Sequence, residues 1–193
     1  NLNLDLYGYD LGGTRAGDPG SALQMKPRWT GAPPPDVRVE IVSRRGVDLM
    51  PVDPVRDRER LLAYVWADQE RRIAQLERAL AIAAKQPPTV DEGDAAEWLD
   101  AHLPVPGETG IGRVVMHSVA YQYFPEAAQQ HIAARIQKAG AAANAETPLG
   151  WLRFEKEMDD KQTALRLMLF PSGEDRLLAT CQPHGSAIHW IGG

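Results

Sequence analysis

Hydrophobic and polar positions along the chain follow a strand period in some segments and a helix period in others. Residues 37–42 are short and β-branched and predict a strand, while residues 110–116 form an apolar run that predicts a buried strand ending at His117. Apolar residues recur at threes and fours in residues 54–64 and 67–85, which is typical of amphipathic helices. The first ten residues fit either period, so the pattern leaves their structure open.

Capping and turn residues define the later elements. Asp94 followed by Glu97 has the spacing of a helix capping box, and Pro125 has the place of a first helical residue. Residues 163–170 and 176–181 flank a turn-forming stretch and predict an antiparallel hairpin. Two further strands are expected before and after that hairpin, at residues 150–155 and 187–191.

Strands therefore alternate with helices until the closing hairpin. Such alternation favours an α/β fold of three layers with a mostly parallel sheet. We expect residues 37–42 and 112–116 to be central parallel strands and the hairpin to form an antiparallel end of the same sheet.

Composition agrees with an ordinary globular protein. The 193 residues are 44% hydrophobic and 24% charged, with 21 basic and 26 acidic residues and a net charge of −5. These values exclude disorder and a disulfide scaffold and favour one domain. The mild acidic balance argues against a nucleic-acid partner, which would require a basic stripe.

Cysteine usage and the lack of long apolar runs bear on the compartment. Cys181 is the single cysteine, so no intramolecular disulfide can form, and a reducing cytoplasm is the expected location. No run approaches the roughly 18 apolar residues of a membrane span, and we see no charged-then-apolar leader. The chain opens at Asn1 within regular patterning, which suggests the carboxyl-terminal part of a longer protein.

Candidate chemistry is expected where strands end, because open α/β sheets bind ligands outside the carboxyl ends of their strands. Each candidate has a structural alternative. Arg44 and Arg45 can be a solvated pair, Asp94 a helix cap, and Glu155 an exposed carboxylate. The candidates are Arg44, Arg45, Asp48, Asp94, His117, Ser118, Tyr121 and Glu155.

His117 is the sharpest of these candidates. A histidine that ends a buried strand can act as an acid, a base or a hydrogen-bond donor, although a satisfied structural histidine is the alternative. His117 followed by Ser118 does not indicate a hydrolase, because the chain has no Gly-x-Ser-x-Gly elbow. The five histidines include no pair with metal-binding spacing on a helix, so no metal is predicted.

Several ordered motifs carry a resemblance to an uncharacterised bacterial family known only as a domain of unknown function. The match runs over nearly the whole chain and implies a longer parent protein whose preceding residues are a strand and a glycine-rich turn. The motifs are residues 1–13, 45–53, 65–69, 93–94, 116–119, 123–125 and 183–185.

The order of elements is also similar to class I S-adenosylmethionine-dependent methyltransferases, which have a Rossmann-like fold. This resemblance implies that Asp48 lies by the cofactor ribose, Asp94 by the adenine and His117 by the methyl group. Asn1 and Asn3, which open the chain, are assigned to the cofactor as well. The sequence departs from that family at His117 and Ser118, where an acidic or Asn-Pro-Pro-like motif is usual.

Two functions follow as hypotheses. One is a methyltransferase-like enzyme that uses S-adenosylmethionine, with His117 and Tyr121 as catalytic residues and Asp48 in the same cleft. The other is a non-catalytic module that binds a small molecule or another protein. The acceptor and the oligomeric state are not predictable from the sequence.

Overall fold

The structure is a computed structural model that describes residues 2–37, 39–157, 162–182 and 184–192. The chain divides into two compact units. The first unit comprises Asn1–Lys26 and Asp36–Gly93, and the second comprises Pro27–Pro35 and Asp94–Gly193. The sequence-based expectation of one domain within a longer protein stays a prediction.

Strands and helices of the described residues are numbered here in chain order. The strands are β1 (Gly8–Leu11), β2 (Thr14–Gly17), β3 (Gln24–Met25), β4 (Arg28–Thr30), β5 (Gly46–Asp48), β6 (Val90–Glu92), β7 (Arg113–Ser118), β8 (Leu149–Lys156), β9 (Thr163–Phe170), β10 (Glu174–Cys181) and β11 (Ala187–Trp190). The helices are α1 (Arg58–Ala63), α2 (Glu70–Lys85), α3 (Ala95–His102) and α4 (Glu126–Ala141). Leu4–Leu6 and Tyr121–Tyr123 form single 3-10 turns.

The first unit holds two small sheets. Strand β1 pairs antiparallel with β2 and parallel with β3, and β5 pairs parallel with β6. Tyr7, Leu23 and Leu80 are its buried large apolar side chains among the described residues. Helix α2 confirms the predicted helix at 67–85 with a start three residues later.

The second unit is built on one six-stranded sheet in the order β4, β11, β10, β9, β8, β7. Strands β8 to β11 pair antiparallel in succession, and only the outermost pairs, β7 with β8 and β11 with β4, are parallel. The hairpin predicted at residues 163–170 and 176–181 is confirmed as β9 and β10.

Helices α3 and α4 cover one face of this sheet. Leu149 and Trp151 of β8 and Phe170 of β9 point to that face and pack with Ile136 and Leu99 of the helices. Burial of these side chains drives the packing, because each fully buried apolar side chain contributes about 1.5–3 kcal/mol.

The predicted three-layer, mostly parallel, Rossmann-like sheet is wrong. Residues 37 and 39–42 form no strand, and Val39 and Val42 are 72% and 70% exposed. The strand predicted at 112–116 is β7, which lies at the edge of the sheet and not at its centre. The reason is the length of the connections: only six, three and five residues separate β8, β9, β10 and β11 in turn, and parallel neighbours need crossovers of about a dozen residues or more.

Asp94 caps helix α3 as predicted, because its Oδ1 accepts hydrogen bonds from the backbone N–H groups of Ala96 and Glu97. Replacing Asp94 by Ala removes both acceptors and is expected to lower the free energy of unfolding by about 1 kcal/mol, measured in urea. Asp94→Asn keeps an acceptor oxygen and should lower the free energy of unfolding by only about 0.3 kcal/mol. Equal stability of all three proteins would show that the cap is energetically silent.

Candidate functional site

His117 lies in a cluster of four side chains on the helix-covered face of β7 and β8. The parallel register places His117 opposite Arg153, between Trp151 and Glu155 on β8. Glu155 Oε1 accepts a hydrogen bond from His117 Nδ1 at 2.7 Å, and the Trp151 indole N–H donates to His117 Nε2 at 3.0 Å. The Tyr121 ring stacks on the imidazole with centroids 4.8 Å apart. We refer to His117, Tyr121, Trp151 and Glu155 as the His117 cluster.

Glu155 joins this cluster to the loop after β7. The same Oε1 atom accepts backbone N–H groups from Ala120 and Tyr121, each at 3.1 Å. The Glu155 side chain is only 16% exposed, so the alternative of an exposed carboxylate at this position is wrong. One carboxylate thus holds a strand end and the turn that follows it.

The partners of His117 determine its protonation. An indole nitrogen only donates, so Nε2 must be an acceptor, and the carboxylate beside Nδ1 requires an Nδ1–H. The ring is therefore neutral with its proton on Nδ1. Burial lowers the pKa of His117 below its ordinary value; Glu155 opposes this shift and Arg153 adds to it.

The Tyr121 hydroxyl is also engaged within the protein. Its hydroxyl donates to the Gln129 carbonyl at 2.6 Å, and burial raises the pKa of the Tyr121 hydroxyl. Val119, between the strand end and Tyr121, has a φ of 48°, which is rare for a β-branched residue. Its N–H donates to Phe154, so this strained residue is held from both sides by bonds to β8.

The lowered pKa makes stability depend on pH. The unfolded ring has the ordinary pKa of 6.5, so between the folded and unfolded values the unfolded chain binds the proton more readily. His117 therefore contributes its full stability above about pH 6.5, and this contribution is lost as the pH falls towards the folded pKa. Urea unfolding at about pH 7.5 and about pH 5.5 should show a smaller decrease for His117→Gln than for the parent. An equal decrease in both proteins would contradict this role.

Two residues predicted to hold a cofactor, Asp48 and Asn3, make separate hydrogen bonds to the backbone of other residues. Asp48 ends β5 in the first unit, is exposed, and its Oδ1 accepts the Met50 N–H at 2.8 Å. Asn3 is fully buried and donates to the Gln86 carbonyl at 3.0 Å. Asn1 lies outside the described residues. Asp48 was expected beside His117 at the ends of neighbouring strands, but β5 and β7 belong to different sheets.

The described residues were searched for metal-binding clusters and for clefts that the predicted site residues line. Among the residues that the structure describes, no group of three or more His, Cys, Asp or Glu side chains is arranged to hold a metal ion. A cleft of about 420 Å³ lies beside β1 to β3, and one of about 390 Å³ lies beside β4, β10 and β11. Neither cleft is lined by a predicted catalytic or cofactor residue. No helix in the described ranges is long and apolar enough to span a membrane.

A second feature is the apolar segment, defined as residues 39–55. Of the seventeen large apolar side chains exposed among the described residues, seven lie in this stretch of seventeen residues, so exposure is concentrated there. The seven are Val39, Ile41, Val42, Leu49, Met50, Val52 and Val55. Concentrated exposed apolar surface marks interaction sites in soluble proteins.

Comparison with known families gives a match over residues 1–190 to a family described as an uncharacterized protein conserved in bacteria (DUF2332). The chain belongs to this family. The resemblance to that family noted from the sequence is thereby confirmed, whereas nothing in the comparisons supports the likeness to methyltransferases. Neither a curated protein nor a solved structure matches the chain.

His117, Tyr121 and Glu155 were candidates from the sequence, whereas Trp151 was not, and the bonds among these residues were not predicted. Trp151 carried no signal beyond a strand pattern, and Glu155 was one strand-end carboxylate among several. The usable signal is the four-residue spacing of Trp151 and Glu155, because residues an even number apart lie on the same face of a strand. The assignment of His117 and Tyr121 as catalytic residues stays a prediction.

Proposed function

We propose that this chain is a non-catalytic module that binds another polypeptide through the apolar segment. The observation that carries the proposal is the concentration of exposed Val, Ile, Leu and Met side chains in residues 39–55. Leaving such side chains in water is unfavourable by about 25 cal/mol per Å² of apolar surface, and a bound partner removes that cost.

The His117 cluster supports the non-catalytic half of this proposal. A general base needs a lone pair within reach of a substrate, yet Nδ1 bonds to Glu155 and Nε2 accepts from Trp151. The Tyr121 hydroxyl is likewise engaged with the backbone of helix α4. These bonds stabilise the β7 to β8 junction and engage both His117 ring nitrogens and the Tyr121 hydroxyl proton within the protein.

Binding of S-adenosylmethionine or another small molecule stays a prediction. A cytoplasmic location stays a prediction as well. The cofactor prediction rested on a parallel Rossmann-like sheet, which the observed strand order contradicts. Calorimetry of the chain with S-adenosylmethionine is therefore expected to give no binding heat. Saturable heat that Asp48→Ala removes would contradict this expectation and favour the enzyme hypothesis.

Site-specific photocrosslinking tests the binding surface itself. A photoreactive amino acid replaces Val39 or Leu49 in a bacterium that encodes the chain, and exposed Glu59 of helix α1 is the control position. We expect the same polypeptide to be attached from positions 39 and 49 and not from position 59. Adducts that are equal at all three positions, or absent from 39 and 49, would contradict the proposal.

A further inference from the structure

The outer edge of strand β7 has no partner strand among the described residues. Its inner side bonds to β8, as shown by Arg113 N–H donating to Pro148 and Val119 N–H donating to Phe154. In a parallel pair the backbone groups of alternate residues point to the same side. The N–H and C=O groups of Val114, Met116 and Ser118 therefore point away from β8. We call these three residues the acceptor edge.

The side chains of the acceptor edge suit a further strand. Val114 and Met116 are 64% and 44% exposed and lie on the sheet face opposite to helices α3 and α4. Natural edge strands are protected by lysine, proline, bulges or covering loops. Between Arg113 and Ser118 the sequence carries neither lysine nor proline, and its register with β8 is continuous.

The chain itself carries a segment with the matching pattern. In residues 39–43, Val39 and Ile41 alternate with Glu40, which is a strand period, yet the segment forms no strand. Its apolar side chains are exposed, as described above for the apolar segment. We call residues 39–43 the donor segment.

We propose that the donor segment of one copy adds as a strand to the acceptor edge of a second copy. The inference rests on the proposed function and names its partner polypeptide. In such a pairing Val39 and Ile41 extend the apolar face of Val114 and Met116. Glu40 then lies on the same face as Arg113, which carries the opposite charge. Main-chain hydrogen bonds provide the affinity and the alternate side chains provide the selectivity.

Complementation between two variants tests this pairing. Met116→Lys impairs the acceptor edge and Ile41→Lys impairs the donor segment, and both positions are exposed, so neither change should unfold the chain. We expect the parent to self-associate at roughly 100 μM, and each variant alone to associate at least about tenfold more weakly. Mixed together, the two variants should form a one-to-one complex, because each retains the surface that the other lacks. Ile191→Lys, at another exposed apolar position, should associate like the parent.

Sedimentation equilibrium and amide hydrogen exchange provide the readouts. Association should slow exchange of the Val114, Met116 and Ser118 amides relative to the monomeric variants. A parent chain that stays monomeric, or association that Met116→Lys leaves unchanged, would overturn the inference. If the parent is monomeric while positions 39 and 49 still crosslink one different protein, this inference fails and the proposed function stands.

Discussion

Replacing Glu155 by Ala is expected to lower the free energy of unfolding of the second unit by about 3–5 kcal/mol. One carboxylate oxygen accepts three hydrogen bonds, from the His117 ring and from the N–H groups of Ala120 and Tyr121. The substitution leaves three donors without an acceptor in a largely buried place, and each unsatisfied donor costs about 1–3 kcal/mol. It also releases the loop that holds Val119 in its strained conformation.

Urea unfolding followed by tryptophan fluorescence measures this loss. The signal reports mainly the second unit, because four of the five tryptophans belong to it: Trp29, Trp98, Trp151 and Trp190. Glu155→Gln keeps one acceptor oxygen and should lose about half as much. The matched control is Glu157→Ala, since Glu157 is exposed and its pair with Arg166 should contribute less than about 1 kcal/mol. A loss for Glu155→Ala no larger than that of the control would contradict the structural role.

Replacing Ile136 by Ala is expected to lower the free energy of unfolding by about 2–5 kcal/mol. Ile136 is fully buried between helix α4 and the sheet, within the core that includes Leu149 and Trp151. Ala is an excellent helix former, so the helix itself gains and the loss comes from the cavity left in the core. Lower stability therefore reports packing and not helix propensity.

Two variants on the same helix calibrate the measurement. Ile136→Val removes one methylene group and should cost about 0.5–1.5 kcal/mol. Lys138→Ala, at an exposed position two residues away, should change stability by no more than about 0.5 kcal/mol. If Ile136→Ala lowers the free energy of unfolding by no more than the Lys138→Ala control, side chains between α4 and the sheet do not form a closely packed core.

Local signals predicted the elements that are determined locally. Helix α4 begins at Glu126, one residue after the Pro125 start that the sequence indicated, and Ile132 and Ile136 lie on its buried face. The hairpin of β9 and β10 was predictable for the same reason, since a turn-forming stretch joins two segments that pair with each other.

Strand order was not predictable from those signals. Residues 39–42 have the composition of a strand, but a strand forms only where another backbone satisfies its hydrogen-bonding groups, and no described strand pairs with these residues. The same limit applies to the site. His117 was found because it ends a strand, whereas its bonds to Trp151 and Glu155 depend on the register of β7 against β8, which local periodicity does not encode.

The central claim is that His117 is a structural residue whose two ring nitrogens are both engaged within the protein. Nitrogen NMR of histidine-labelled chain, with His117→Gln to identify the signal, measures the tautomer and the pKa directly. The structure predicts a neutral ring with its proton on Nδ1 at about pH 7 and a pKa below 6.5. A ring that carries its proton on Nε2, or that titrates above 6.5, would contradict the account and restore His117 as a candidate acid or base.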